Sequence, residues 1–249
     1  MDKPLVSIIT ASFNSASTIY DALQSVANQT YPNIEHIVVD GLSTDKTLEI
    51  IKQFPKVVLV SEKDKGVYDA FNKGWKLARG EIIAYLNADD FYVNSEVVEK
   101  MVEMLEKKSA GAGWADLDYI NRLNPEKIIR HWKSSEYKSG GFFRGWAPAH
   151  PTFFARRSLY EKFGGFDEQF KISADYELML RFLEVNKVLG VYLPETIVKM
   201  RVGGMSNRSI KNILRANWEV YLAFKKNNLN GGWLVVLLKP LSKLKQFFF

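Results

Sequence analysis

The chain contains no cysteine among its 249 residues, which excludes disulfides, a thiolate metal site and a cysteine nucleophile. That suits a reducing compartment. Histidine is scarce too: His36, His131 and His150 are spaced too far apart for a compact three-histidine zinc site. The Gly-x-Gly-x-x-Gly fingerprint of dinucleotide enzymes is absent after the first strand-like run, where Ala11-Ser12-Phe13-Asn14-Ser15 stands. No Gly-x4-Gly-Lys-Ser/Thr loop occurs anywhere, so a Rossmann dehydrogenase and a P-loop kinase are both excluded. No run approaches the ~18 consecutive apolar residues of a membrane span. The opening Met1-Asp2-Lys3-Pro4 leads directly into a strand pattern without the regions of a signal peptide, so a cytoplasmic protein is expected.

What is present describes an ordered globular protein: 47% hydrophobic and 25% charged residues, with length for one large domain or two small ones. A net charge of +6 could suit nucleic acid, an anionic membrane surface or a phosphorylated substrate. The basic residues are scattered, and those near the C-terminus are mixed with bulky aliphatics, which disfavours nucleic acid. Apolar runs alternate with helix-like stretches. Leu5–Thr10, Ile34–Val39, Val57–Val60 and Ile82–Leu86 read as strands, separated by helical segments ending near Asn28, over Lys46–Gln53 and over Gly66–Ala78. That rhythm predicts an α/β fold with a Rossmann-like, mostly parallel sheet flanked by helices.

Polar residues collect where these strands end, the edge at which open α/β sheets bind ligands. Asn87-Ala88-Asp89-Asp90 follows the fourth strand. Two adjacent carboxylates there offer hard oxygen ligands for Mg²⁺ or Mn²⁺, and such an ion can bridge a diphosphate. A solvated turn with Asp90 capping the next helix is the local alternative. Asp40 equally reads as a strand-end turn, and Ser12 and Asn14 as turn formers. Asp69 and Lys73, four apart on a helix, suit an exposed ion pair.

Together the segments resemble the family 2 glycosyltransferases, inverting enzymes of GT-A fold that use nucleotide-sugar donors and often serve bacterial polysaccharide assembly. The resemblance is carried by Val6–Asn14, Ile37–Thr47, Ser61–Gly74, Ala78–Glu81 and Leu86–Asp90. It continues through His150–Phe154, Gly164–Asp167, Ser173–Leu178 and Gly203–Ser206. It implies a sugar transfer from a nucleotide-diphosphate sugar to an acceptor hydroxyl, by a hexosyltransferase-like enzyme. It implies Asp89 as direct ligand of a divalent cation (Mn²⁺ or Mg²⁺), with Asp90 close by. Thr10, Ser12, Asn14, Asp40, Asp64, Asp69, Asn72 and Asn87 are implied at the nucleotide sugar. Asn87 and Gly41 stand where the family often carries Asp, and Ala174 where it often carries an acid. Inversion needs one base; the resemblance places it at Asp175, with Glu177 in reserve. His150 and Trp146 are candidates for the acceptor or phosphate side, since rings beside an imidazole can pack on sugars.

The expected organisation is a catalytic domain over residues 1–205, with a nucleotide-sugar half (1–106) and an acceptor half (107–205). Residues 206–249 form a C-terminal helix and a basic amphipathic tail. The helix Ser209–Asn227 carries Ile213, Leu214, Trp218, Tyr221 and Phe224 as an apolar stripe. From Trp233 to Phe249 there are lysines but no acids, as in segments drawn to anionic lipid. The alternative is a tail packed on the catalytic domain or on a homodimer partner. A peripheral enzyme on the inner membrane face, acting on a lipid-linked or polysaccharide precursor, is expected. A nucleotidyltransferase and a non-catalytic nucleotide-sugar-binding protein remain as alternatives.

Overall fold

The computed structural model describes residues 3–203 and 210–236. The four apolar runs become strands β1 (Val6–Ser12), β2 (Ile34–Asp40), β3 (Val57–Ser61) and β4 (Ile82–Tyr85), parallel in the spatial order β3-β2-β1-β4. The crossover helices are α1 (Ile19–Ala27), α2 (Thr47–Ile51) and α3 (Val67–Leu77). Alternate strand residues go to opposite faces. Ile9, Ile37, Ile83 and Tyr85 pack with Phe71 of α3, whereas Val6, Ile8, Ile82 and Ala84 pack with Ala22 and Val26 of α1. Burial on both faces is why these runs show no polar alternation.

The second half adds strands to the same sheet. Asp90 does not cap a helix: it opens the short β5 (Asp90–Tyr92), and α4 (Val97–Lys107) begins later. The central strand β6 (Ala112–Ile120) is buried along its whole length. It pairs antiparallel with β7 (Ile128–Trp132) and β8 (Phe154–Arg156), and parallel with β9 (Gly190–Arg201). The sheet runs β3-β2-β1-β4-β8-β6-β9-β5, with β7 beside β6. The mostly parallel arrangement expected from sequence therefore holds for the first four strands, and the whole sheet is mixed. The reason is local: β6 and β7 are joined by a short turn, which permits only antiparallel pairing. Because β8 pairs with β4, the sheet is continuous across residues 106 and 107.

Helices α5 (Arg157–Phe163) and α6 (Ala174–Met179) follow β8, and α6 runs on into a π-helical segment, Leu180–Val185. Helix α7 (Ile210–Lys226) packs on the domain through Val220, Ala223 and Phe224. Of the stripe read from sequence, only Phe224 is fully buried; Ile213, Leu214 and Trp218 are exposed. Val235 at the head of the tail is also buried, which supports packing on the domain there. Residues 237–249, and Gly204-Met205-Ser206 of the Gly-Gly landmark, lie outside the described residues. No helix among the described residues is long and apolar enough to cross a membrane.

His36 sits inside β2, with Nε2 3.0 Å from Thr10 Oγ1. Burial pushes its pKa down from 6.5 to about 4. The fold thus accommodates neutral imidazole, while the unfolded chain takes up a proton as pH falls below about 6.5. Stability is full above that pH and is lost on acidification, by up to ~3 kcal/mol at the low end. Chemical denaturation between pH 7 and 5 should show this decline, and His36→Gln should flatten it.

Candidate active site

Strand register brings Ser12, Asp40 and Ser61 into one row at the carboxyl edge of the sheet. Asp40 is fully buried, and a lone carboxylate there would be very unfavourable. It is satisfied by Ser12 Oγ at 3.0 Å, Ser61 Oγ at 2.9 Å, Ser43 N at 2.8 Å and the Ser43 hydroxyl. Thr10, one pleat back, is fully buried against His36. Asn14, with φ of 47°, accepts from Thr44 N at 2.9 Å, while its own N–H donates to Ser43 Oγ at 2.8 Å. These bonds staple the β1 loop to the β2 loop. Beside them Asp64 packs on Gly41 so closely that a Cβ on the glycine would meet Asp64 Oδ2 at 2.5 Å. A side chain at position 41 would have to displace the Asp64 carboxylate from this place. Next to this pair stands Phe13, 62% exposed, which the sequence reading passed over although an aromatic among small polar loop residues was its signal.

Asp89 and Asp90 are separated by their surroundings. Asp89 keeps a side chain 34% exposed, with Arg122 Nη1 4.0 Å away. Asp90 is fully buried and accepts from Asn87 Nδ2 at 2.8 Å and Arg201 N at 3.3 Å. Burial, then the charge of Asp89, pushes the Asp90 carboxyl well above the usual carboxylate range. Asn87 is therefore the donor that Asp90 needs, a role an ionised Asp at 87 could not fill. Arg201 completes the corner by binding the Asp89 carbonyl at 2.8 Å and the Asp21 carboxylate. Sequence reasoning missed this arginine, which lies 111 residues from Asp90.

Two residues of α3 expected at the nucleotide sugar make structural contacts here. Asp69 accepts from Lys65 N at 2.8 Å and lies 3.5 Å from Lys73, which also holds Glu62. Asn72 is buried with its amide fully used: Nδ2 donates to Phe166 O at 2.8 Å, and Oδ1 accepts from Phe166 N and Trp75 Nε1. That bracket draws Gly165 in until a Cβ there would meet Trp75 Nε1 at 2.2 Å and Asn72 Oδ1 at 2.5 Å.

An aromatic wall then leads from β4 to α6. Tyr85 of β4 stacks on His150 at 5.8 Å, and Phe166 packs against both. Tyr68 stacks on Phe166 at 5.4 Å, and its hydroxyl reaches Asp175 Oδ1 at 3.1 Å. His150 is buried, and Nε2 has no hydrogen-bond partner among the described residues. Burial lowers its pKa, and the charge of Asp175 opposes that only in part. Asp175 itself is half-buried. Burial raises the pKa of Tyr119 of β6, the Arg130 guanidinium opposes the rise, and the charges of Asp90 and Asp175 add to it. Trp146 packs on Trp114, Tyr137 and Phe142 and is half-buried.

Glu177, the reserve base, is 2% exposed. It grips Arg181 through two bonds of 3.0 Å and accepts from Asn227 Nδ2 at 3.0 Å. Its carboxylate joins α6 to the end of α7 and is not open to an acceptor. The segment before Asp175 is organised by Glu219 of α7. Its carboxylate accepts from the backbone N–H groups of Lys171 at 3.0 Å, Ile172 at 2.8 Å and Ser173 at 2.9 Å. Glu219→Ala would leave these donors without an acceptor, at roughly 1–3 kcal/mol for each that stays buried. Urea unfolding should report a loss of about 3 kcal/mol or more for Glu219→Ala and a smaller one for Glu219→Gln. Equal midpoints would show that the loop does not depend on this carboxylate.

Comparison with known proteins agrees with this architecture. The profile of Glycosyl transferase family 2 matches residues 7–166. A PGL/p-HBAD biosynthesis glycosyltransferase of Mycobacterium bovis (strain BCG / Pasteur 1173P2) is 28% identical over 221 residues, covering 83% of this chain and 81% of the relative. A putative teichuronic acid biosynthesis glycosyltransferase, TuaG of Bacillus subtilis (strain 168), is 36% identical over 113 residues, 43% of this chain and 45% of the relative. Among solved structures, the mannosyltransferase PcManGT from Pyrobaculum calidifontis, in complex with GDP-Man and Mn²⁺, superposes with a TM-score of 0.66 at 18% identity. The superposition covers 98% of this chain and 76% of that one. With more than half its length matched by the family profile and the site residues gathered on one sheet edge, the chain belongs to glycosyl transferase family 2 and is a glycosyltransferase.

Proposed function

We propose that this glycosyltransferase moves a sugar from a nucleoside-diphosphate sugar to an acceptor hydroxyl with inversion at the anomeric carbon. The observation that carries the reading is a pair of partly exposed carboxylates: Asp89, just past the end of β4, and Asp175, which Tyr68 links to the wall of Tyr85, His150 and Phe166. A single displacement needs charge stabilisation at the departing diphosphate and a base at the attacking hydroxyl on the other side. Asp89 serves the first end and Asp175 the second.

The donor lies along the edge made by the stapled β1 and β2 loops. Phe13 offers an exposed ring for stacking a nucleobase, with Asp64 beside it. Ser12 and Asp40 hold the floor of this pocket. The donor set fits a divalent cation, Mn²⁺ or Mg²⁺, because Asp89 is an accessible hard ligand at a strand end. No group of three acidic or histidine side chains exists among the described residues, so Asp89 and the diphosphate oxygens would hold the ion together, as Mg²⁺ is commonly held. Bound there, it would act as a Lewis acid toward the leaving phosphate. The mannosyltransferase complex with GDP-Man and Mn²⁺ supports both parts of this reading. Asp90 and Asn87 act as the buried support that sets the direction of Asp89. His150 and Trp146 border the acceptor side. The base Asp175 takes the proton of the acceptor hydroxyl as its oxygen bonds to the anomeric carbon, and the bonding electrons leave with the diphosphate.

The acceptor is a lipid-linked or polysaccharide precursor of a surface glycan. The resemblance to a teichuronic acid biosynthesis enzyme supports this class. So do the exposed Leu214 and Trp218 of α7 and the exposed Trp233 beyond it, on a segment carrying Lys211, Arg215, Lys225 and Lys226. We assign this segment to an anionic membrane surface, where apolar burial and cationic attraction add.

Incubation with nucleotide sugars and Mn²⁺ should release nucleoside diphosphate; pyrophosphate as product would instead identify a nucleotidyltransferase. Asp175→Asn and Asp89→Ala should each lower transfer by about 10²–10⁴-fold with melting temperatures near that of the parent. Full activity in either variant overturns the role given to that residue. Replacing Leu214, Trp218 and Trp233 together by Ser should abolish sedimentation with anionic vesicles, and undiminished binding would remove the membrane from the reading.

A further inference from the structure

Accepting Asp175 as the base leaves open what aims it, and α3 supplies a residue that the sequence reading did not consider. Tyr68 lies four positions before Asn72 and so shares its helix face. Asn72 grips the backbone of Phe166, and Tyr68 stacks on the Phe166 ring. The phenol oxygen is thereby carried to a point 2.7 Å from the Ile172 carbonyl and 3.1 Å from Asp175 Oδ1. The other donor to Asp175, Tyr176 N at 2.8 Å, also binds Oδ1. Oδ2 has no hydrogen-bond partner among the described residues.

We propose that Tyr68 is a positioning residue for the base: its hydroxyl, shared between Asp175 and the Ile172 carbonyl, pins Oδ1 and presents Oδ2 to the acceptor. A phenol has one proton to donate and lone pairs to accept. While Asp175 is ionised, the proton is drawn to Oδ1. Once Oδ2 has taken the acceptor's proton, Oδ1 becomes a weaker, carbonyl-like acceptor, and the phenol proton turns to Ile172 O. Tyr68 keeps its proton throughout. Burial, and then the charge of Asp175, raises its pKa well above the ordinary tyrosine value, so it stays a donor wherever the enzyme works. Either charge state of Asp175 leaves the hydroxyl with an acceptor.

The inference rests on the proposed inverting reaction, and Tyr68→Phe tests it with the ring and its stacking retained. Loss of a hydrogen bond to a charged group should lower kcat by about 10- to 100-fold, with donor KM unchanged. The acid limb of the kcat/KM profile should move to higher pH, because the charged carboxylate loses a supporting donor. A fluorinated tyrosine at position 68, a stronger donor of nearly the same shape, should move that limb the opposite way and gives an answer even if Tyr68→Phe folds poorly. Tyr92→Phe removes another buried hydroxyl, packed in the cluster on the α1 side of the sheet, and should leave kcat and the profile as in the parent. An unmoved acid limb in both position-68 proteins, with Asp175→Asn inactive, overturns the role of Tyr68 alone. Full activity of Asp175→Asn overturns the underlying assignment of the base.

Discussion

Three consecutive backbone N–H groups, from Lys171 to Ser173, point at one carboxylate on another helix, and the segment leading into Asp175 is built around that convergence. Glu219 must face this loop, so α7 is rotated to bring it there. The rotation turns Val220, Ala223 and Phe224 inward and leaves Leu214 and Trp218 outside. One turn past the buried apolar residues, Asn227 reaches Glu177, which holds Arg181. Arg181 in turn donates to the carbonyls of Phe163, Gly164 and Gly165. The stretch from 163 to 181 is thus hung from α7 at one end and from Asn72 of α3 at the other. The helix expected from sequence at the C-terminus is present and is bound into the domain by these bonds.

Most acidic residues that draw attention in the sequence are internal fasteners. Asp40 ties three strand ends and a loop together, Glu35 gathers Ser7 and the Arg79-Gly80 backbone, and Asp90 is held between Asn87 and Arg201. Each is buried, and burial of a carboxylate is tolerable only when its oxygens are occupied. Asp89 and Asp175 differ because each retains partial exposure. Accessibility, more than residue type, separates the carboxylates proposed for chemistry from those that fasten the fold.

That distinction explains what could be read beforehand. The first four strands and α3 were legible because long apolar runs and strand-end polar residues are local signals. Ser12 and Asp40 were legible as a strand-end pair, though the fourfold saturation of Asp40 was not, since Ser43 and Ser61 enter through register. Asn72 was placed at the nucleotide sugar by the family resemblance, and its grip on Phe166, 94 residues away, could not be read from local sequence. The second half was harder still. Strands β5 and β8 have three residues each, too few for any period to show. Strand β6 is buried on both faces yet contains Asp116 and Asp118, each held by a partner: Tyr192 and Ser134 for the first, His131 for the second. The stripe on α7 misled because the side chain that orients the helix is a glutamate.

The tight joint at Gly165, where no Cβ fits between Trp75 and Asn72, couples the segment bearing Asp175 to the helix that borders the donor edge. The β6–β7 hairpin takes no part in that joint, and its turn is exposed, with Leu123 94% accessible. The same turn carries Arg122 to within 4.0 Å of Asp89. The loop freest to vary in sequence is thus the one that sets the charge beside that carboxylate, while the spacing fixed by the joint is out of its reach.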